Sequence, residues 1–372
     1  MRIIGVAEED PLHHQTWSGS SAYFFSALKA AGHLAGTISA QLPPFITRIY
    51  QIKNFHPVLQ KWRFKYHLDV EFYSQMTRAA KCRLDTVSDD SYDTILQIGA
   101  LFDLSRRPGK RTVSYHDGNL ASRLNSPYGY PRVRQSILDN ALHHERELYE
   151  RLDHIFTMSK WLADSFVKDF GVRRDKLTPI GAGINLPQVR EVMNKSYDNP
   201  HFLFIGKEFE RKGGRFLLEA FAKVRQEIPS ATLTVIGPEL SDRPLGVTCL
   251  SYISKHSLSG LNVLLDEYAR ASVFVMPSLY EPFGIVFAEA MAHKLPCIGT
   301  RICAMPEIID DKVTGLLVPP KDSKSLAEAM LTLLKNPEMC AQYGESGYTK
   351  YLNLYTWSSV ADRCVRKLEE LA

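Results

Sequence analysis

No apolar run in this 372-residue chain approaches the roughly 18 to 20 residues that a bilayer-spanning helix requires. The apolar start from Met1 to Ala7 is too short for a signal peptide and meets Glu8-Glu9-Asp10 at once. It reads as a first strand, and the expected location is cytoplasmic, with peripheral attachment at the inner membrane face left open. Cysteine is sparse and scattered: Cys82, Cys249, Cys297, Cys303, Cys340 and Cys364 form no C-x-x-C and no Cys/His cluster. That excludes a disulfide framework and a zinc site and leaves six reduced thiols, several of them in apolar surroundings. An excess of either charge is also lacking, with 45 Lys and Arg against 41 Asp and Glu, a formal net charge of +4. Such a mildly basic chain suits anionic ligands or a membrane surface and does not call for nucleic acid. No aspartate-rich metal motif, internal repeat or low-complexity tract is present, so neither a metal nor a cofactor is expected.

What is present is alternation. The length exceeds one core's usual size, so two domains are expected. Strand-like runs at 1–7, 33–40, 94–100, 111–117 and 154–159 alternate with helical patterns at 20–31, 133–152 and 160–170. A second series has strands at 202–206, 233–237, 247–253, 272–276, 295–300 and 314–319, and helices at 214–227, 262–269, 285–293 and 323–335. This is the pattern of two α/β units, each a parallel sheet covered by helices. A glycine-rich passage at 179–187 makes the seam. The segment 357–371 is a last amphipathic helix with Val360, Cys364, Leu368 and Leu371 on one face.

The most informative stretch runs from Pro277 to Ala292, PSLYEPFGIVFAEAMA. A buried strand at 271–276 ends at Pro277-Ser278, and Pro282 and Gly284 break the chain before a helix opens near Ile285. The amides of Gly284, Ile285 and Val286, together with the positive helix end, form a site for an anion, and Gly284 lets a phosphate approach closely. Glu281 before the helix and Glu289 one turn inside it bracket that anion and can accept hydrogen bonds from hydroxyls on either side.

At this point the chain resembles the retaining glycosyltransferases called GT4, glycosyl transferases group 1, whose signature is two glutamates separated by seven residues within an E-P-F-G context. Glu281 and Glu289 keep that spacing, followed by LPCIGT, PEII and TGLLVPP. The resemblance implies the GT-B fold over nearly the whole chain, with two Rossmann-like doubly wound domains facing across a cleft. Residues 1–184 would bind acceptor, 185–352 would bind the nucleotide-sugar donor, and the helix in 353–372 would cross back to the first domain. It further implies donor-sugar contacts from His116, Glu281, Phe283 and Gly284, and nucleoside contacts from Gly237, Ile253 and Glu289. Catalysis would rest on His116, Glu281 and Lys212.

The run from Phe204 to Gly214, FIGKEFERKGG, resembles the family segment whose arginine and lysine hold the donor diphosphate. Its first basic position is Lys207, a point charge without bidentate reach. Either Lys207 or Arg211 therefore accompanies Lys212. A P-loop is excluded because no Ser or Thr follows the lysine. Gly19, in the loop Trp17-Ser18-Gly19 that opens the first helix, is the expected partner of the diphosphate from the first domain. His116 ends a strand at the edge where open α/β sheets bind ligands, and two readings stand: a sugar-hydroxyl partner or a neutral core histidine. Glu145, Tyr149 and Asp153 share one helix face and are read as structural.

Residues 41–83 mix eight Lys and Arg with eight aromatic side chains against only Asp69 and Glu71. That composition fits either an acceptor or membrane-surface element or packed helices with solvated charges. The expected activity is transfer of a hexose-type sugar from a nucleotide diphosphate sugar, UDP-linked first and GDP-mannose second. The acceptor is a hydroxyl of a glycan, a lipid-linked molecule or a small molecule. Alternatives are an epimerase or phosphorylase of the same fold, or a non-catalytic sugar-nucleotide-binding protein.

Overall fold

The computed structural model describes residues 1–128, 133–190, 195–240 and 243–371. The chain divides into two units, one formed by Met1–Gly183 with Trp357–Ala372 and the other by Ile184–Thr356.

The first unit is built on six parallel strands, β1 (Ile3–Ala7), β2 (Leu34–Ser39), β3 (Thr94–Ile98), β4 (Arg111–His116), β5 (His154–Thr157) and β6 (Leu177–Pro179), in the order β2-β1-β3-β4-β5-β6. Every residue of β1 and β3 is buried, as a sheet covered on both faces requires. The chain steps outward from β1 to β2 and then reverses to β3, so the switch point lies between the carboxyl ends of β1 and β3. Helix Ser20–Ala30 covers one face with Phe24, Phe25 and Leu28. A Cβ on Gly5 would stand 2.4 Å from the Phe25 ring, so β1 and this helix meet where only glycine fits. Helix Trp357–Glu370 belongs to the same unit and buries Trp357, Val360, Ala361, Cys364, Val365 and Leu368, an i, i+3, i+4 stripe. Arg363 fixes it by donating to the Ile180 carbonyl at 2.9 and 2.7 Å.

The second unit repeats the plan with β7 (His201–Ile205), β8 (Thr232–Gly237), β9 (Val247–Ser251), β10 (Val273–Val275), β11 (Cys297–Thr300) and β12 (Gly315–Val318), all parallel, in the order β12-β11-β10-β7-β8-β9. Its switch point lies between β7 and β10. The helices expected at 214–227, 285–293 and 323–335 are present as Gly214–Glu227, Ile285–Ala292 and Ser323–Leu334.

Helices Pro44–Lys53, Leu59–His67 and Val70–Leu84 fall in the segment for which packed helices were one of two readings, whereas Pro337–Leu354 was not expected from the sequence. The last contains Gly344 and Gly347, poor helix formers. A Cβ on Gly344 would sit 2.3 Å from the Lys294 carbonyl oxygen, so close packing rather than propensity selects it. The three helices in 44–84 divide the basic aromatic segment. Phe64, Tyr66 and Phe72 are buried in the core, whereas Phe55 is exposed. Arg83 turns inward to the Ser39 and Gln41 carbonyls at 2.7 and 2.6 Å. All six cysteines are free thiols. Among the described residues no helix is long and apolar enough to cross a membrane.

Candidate functional site

In the second unit, the loops after β7 and β10 meet at the switch point and are locked together. The Leu279 amide donates to the Arg211 carbonyl at 2.8 Å, and Arg211 Nη1 donates to the Tyr280 carbonyl at 2.7 Å. Gly213 adopts φ 74° at the start of helix Gly214–Glu227, and a Cβ there would stand 1.9 Å from the Pro277 carbonyl oxygen. Glycine is obligatory on both counts. This clamp delivers three charges to one spot: Lys212 forms an ion pair with Glu281, and Arg211 Nη1 lies 3.5 Å from the same carboxylate. Glu281 is 7% exposed, so the cluster is largely shielded from solvent. Burial alone would weaken the Arg211 charge, but Glu281 and Glu208 outweigh it and hold the guanidinium more firmly protonated than usual.

Gly284, at φ 81°, caps helix Ile285–Ala292. The first amides of that helix have no intrahelical acceptor and carry the positive end of the dipole. Phe283 is buried beside them. Glu289, inside the helix, is also 7% exposed; its Oε2 accepts the Tyr268 hydroxyl at 3.1 Å and its Oε1 lies 3.8 Å from Lys255 Nζ. Tyr268 in turn stacks on His293, ring centroids 4.6 Å apart. Gly237, ending β8 at φ 119°, has no room for a Cβ, which would lie 2.9 Å from the Gly206 carbonyl oxygen. Lys207 Nζ sits 3.6 Å above the Tyr252 ring, a cation–π contact. Of the two candidate partners of Lys212, Arg211 shares its carboxylate and Lys207 does not. Ile253, just beyond β9, is half-buried. Tyr268 and Lys255 were not found from the sequence, because nothing in their local pattern marks them as neighbours of Glu289.

The first unit carries its own cavity of about 450 Å3 at the β1/β3 switch point. Glu8, Arg63, His67, Tyr73, His116 and Arg123 are among its lining residues. Glu8 accepts from His67 Nε2 at 2.8 Å and lies 3.6 Å from Arg63. Burial would raise its carboxyl, yet His67, Arg63 and Arg123 bring it down to about 2. The Tyr73 hydroxyl is buried and has no hydrogen-bond partner among the described residues. His116 is buried, with Nε2 2.7 Å from Ser114 Oγ and a backbone hydrogen bond to Gly118. Burial pushes its imidazole down to about 3, so the ring is neutral. Gly19 follows Trp17 and Ser18, and all three have left-handed φ of 92°, 49° and 57°. Glu145 accepts the Tyr149 hydroxyl at 2.9 Å and the Leu120 amide at 3.0 Å, while Asp153 accepts the Thr112 amide at 2.7 Å. Glu145 and Tyr149 thus lie in helix Gln135–Arg151, whereas Asp153 falls beyond its end and off the expected helix face, and all three are spent on holding the unit together.

Two such doubly wound units define the GT-B class. The whole chain superposes on sucrose-phosphate synthase from Thermosynechococcus elongatus with a TM-score of 0.72 and 20% identity, covering 100% of this chain and 99% of that one. It likewise matches the Anabaena protein HepE in complex with UDP and glucose, with a TM-score of 0.65, 16% identity and 99% coverage of both chains. Residues 199–336 match the family glycosyl transferases group 1. A curated relative is the MMP alpha-(1->4)-mannosyltransferase of Mycolicibacterium hassiacum, 28% identical over 61% of this chain and 56% of that protein. The chain spans about half the length of the curated relatives it matches.

Proposed function

We propose that the protein is a retaining glycosyltransferase that moves a hexose-type sugar from a nucleotide diphosphate sugar to an acceptor hydroxyl. The observation that carries this reading is the buried Lys212–Glu281 pair with Arg211 beside it, set at a sheet switch point next to the amino end of helix Ile285–Ala292. In the reaction, Lys212 and Arg211 meet the charge that grows on the departing diphosphate, and the amides of Gly284, Ile285 and Val286 share it. Glu281 holds donor-sugar hydroxyls beside Phe283 and Gly284. Glu289, already oriented by Tyr268, takes the ribose hydroxyls, with Gly237 and Ile253 flanking the nucleoside. Lys207 and Gly19 contribute to the diphosphate. His116, being neutral, can accept from or donate to a sugar hydroxyl without adding charge.

UDP-sugars are the first donors to test and GDP-mannose the second, since HepE was solved with UDP and the relative from M. hassiacum is a mannosyltransferase. The acceptor, a glycan, lipid-linked or small-molecule alcohol, is assigned to the cavity lined by Glu8, Tyr73 and His116, where the Tyr73 hydroxyl offers an uncommitted hydrogen bond. The transfer is proposed to need no metal. The test is incubation with a panel of nucleotide sugars, followed by product analysis with and without EDTA. Transfer or slow hydrolysis that survives EDTA is expected. A thermal shift with UDP but no turnover of any donor would leave a binding protein instead.

A further inference from the structure

Between Gln41 and Lys65 the sequence holds five cations, Arg48, Lys53, Lys61, Arg63 and Lys65, and no acidic residue. The structure gives this segment an unusual surface. Helix Pro44–Lys53 buries none of its residues fully, yet it is apolar on two sides. Ile46 and Tyr50 pack inward against the core of the first unit. On the outer side Phe45, Ile49 and Ile52, spaced i, i+4 and i+7, are 69%, 60% and 70% exposed. The patch continues through Phe55, Val58 and Leu59, which are 62%, 48% and 72% exposed. A helix that only covers a soluble core presents polar residues outward, and contiguous exposed apolar side chains mark a surface that meets something else.

The charges at this patch indicate what covers it. Lys53 is met by Asp69 and Glu71 at 3.0 Å each, and Arg63 turns to Glu8 and Glu9 at 3.6 and 3.3 Å. Arg48 and Lys61 stand exposed beside the apolar side chains. We propose that this face docks on a membrane surface rich in anionic phospholipid, with the six apolar side chains entering the boundary between headgroups and acyl chains while Arg48 and Lys61 meet lipid phosphates. A second copy of the chain fits less well, because the segment 41–65 holds no carboxylate to meet Arg48 and Lys61 across a two-fold axis. The inference rests on the proposed function only in that a lipid-linked acceptor is met at such a surface, so its deciding readout is vesicle binding, and donor hydrolysis serves only as a control.

The experiment is flotation of the full chain with vesicles of phosphatidylcholine alone and of phosphatidylcholine mixed with phosphatidylglycerol. Binding to the mixed vesicles only, weakening as added salt screens the headgroups, is expected. Ile49→Asp combined with Ile52→Asp should lower the bound fraction at least about tenfold, and Arg48→Glu with Lys61→Glu should remove the dependence on phosphatidylglycerol. Both variants should keep the wild-type melting temperature and donor hydrolysis. Wild-type protein that floats with neither vesicle at low salt overturns the proposal, as does a dimer in solution that Ile49→Asp with Ile52→Asp dissolves. Vesicle binding with no turnover of any donor would instead remove the transferase reading and leave this one standing.

Discussion

At the residue scale, one carboxylate shared by two cations carries the proposed chemistry, and its partners define a direct test. Glu281→Gln removes the charge that Lys212 and Arg211 face, and Lys212→Ala removes the cation itself. Each is expected to slow transfer at least tenfold, about 1.4 kcal/mol or more of transition-state stabilisation. Steady-state kinetics on both variants decides the matter, and wild-type rates in either would remove that residue from the site. These residues were legible because the E-P-F-G motif and the F-I-G-K-E-F-E-R-K-G-G run are local in sequence. Tyr268, Lys255 and Tyr73 were not. Tyr268 reaches Glu289 from a separate helix, and Tyr73 lines its cavity from a segment whose pattern showed only basic and aromatic composition. Contacts across distant elements leave no local signature.

At the element scale, glycine and tryptophan close the first unit. A Cβ on Gly183 would lie 2.4 Å from Trp357 Cγ, and the indole also packs against Phe24, ring centroids 5.8 Å apart. Trp357→Ala should therefore cost about 3–5 kcal/mol, as large aromatic truncations in cores do. Denaturant unfolding of the full chain is the measurement, and a loss below about 1 kcal/mol would mean that the indole is not what closes the unit. The helix from Trp357 could be read from its 3.6-residue stripe. The helix Pro337–Leu354 could not, because Gly344 and Gly347 argue against a helix locally and are present for backbone proximity elsewhere. Strands fared better, since fully buried parallel strands are short apolar runs bounded by turns. β6, three residues long, lacked even that.

At the scale of the whole molecule, buried histidines set the acid limit. Burial holds the imidazoles of His116, His154 and His293 down to about 3, 4 and 4, against an ordinary value of 6.5. Between those values the unfolded chain binds more protons than the folded one, so stability is fully present above about 6.5 and falls as pH drops toward 4. Each histidine contributes at most about 1.4 kcal/mol per pH unit. The Glu8 carboxyl, lowered from 4.5 to about 2, adds loss of the same sign below that range. A melting temperature measured from pH 8 to pH 4 should decline from about 6.5 downward, and His154→Phe should flatten the decline, since the ring's Nδ1 is buried without a partner among the described residues. A flat profile would contradict the buried neutral rings. The two-piece composition of the first unit also sets a clock. Its bulk, 1–183, is synthesised early, but the layer at 357–372 follows only after all of 184–356 has been made. At about 5–20 residues per second that delay is on the order of ten seconds or more. During it the surface that receives Trp357 stays open, while the uninterrupted second unit can already complete its own core. The later-made half is thus free to mature first, and the nascent first half is the stretch that a chaperone has most reason to hold.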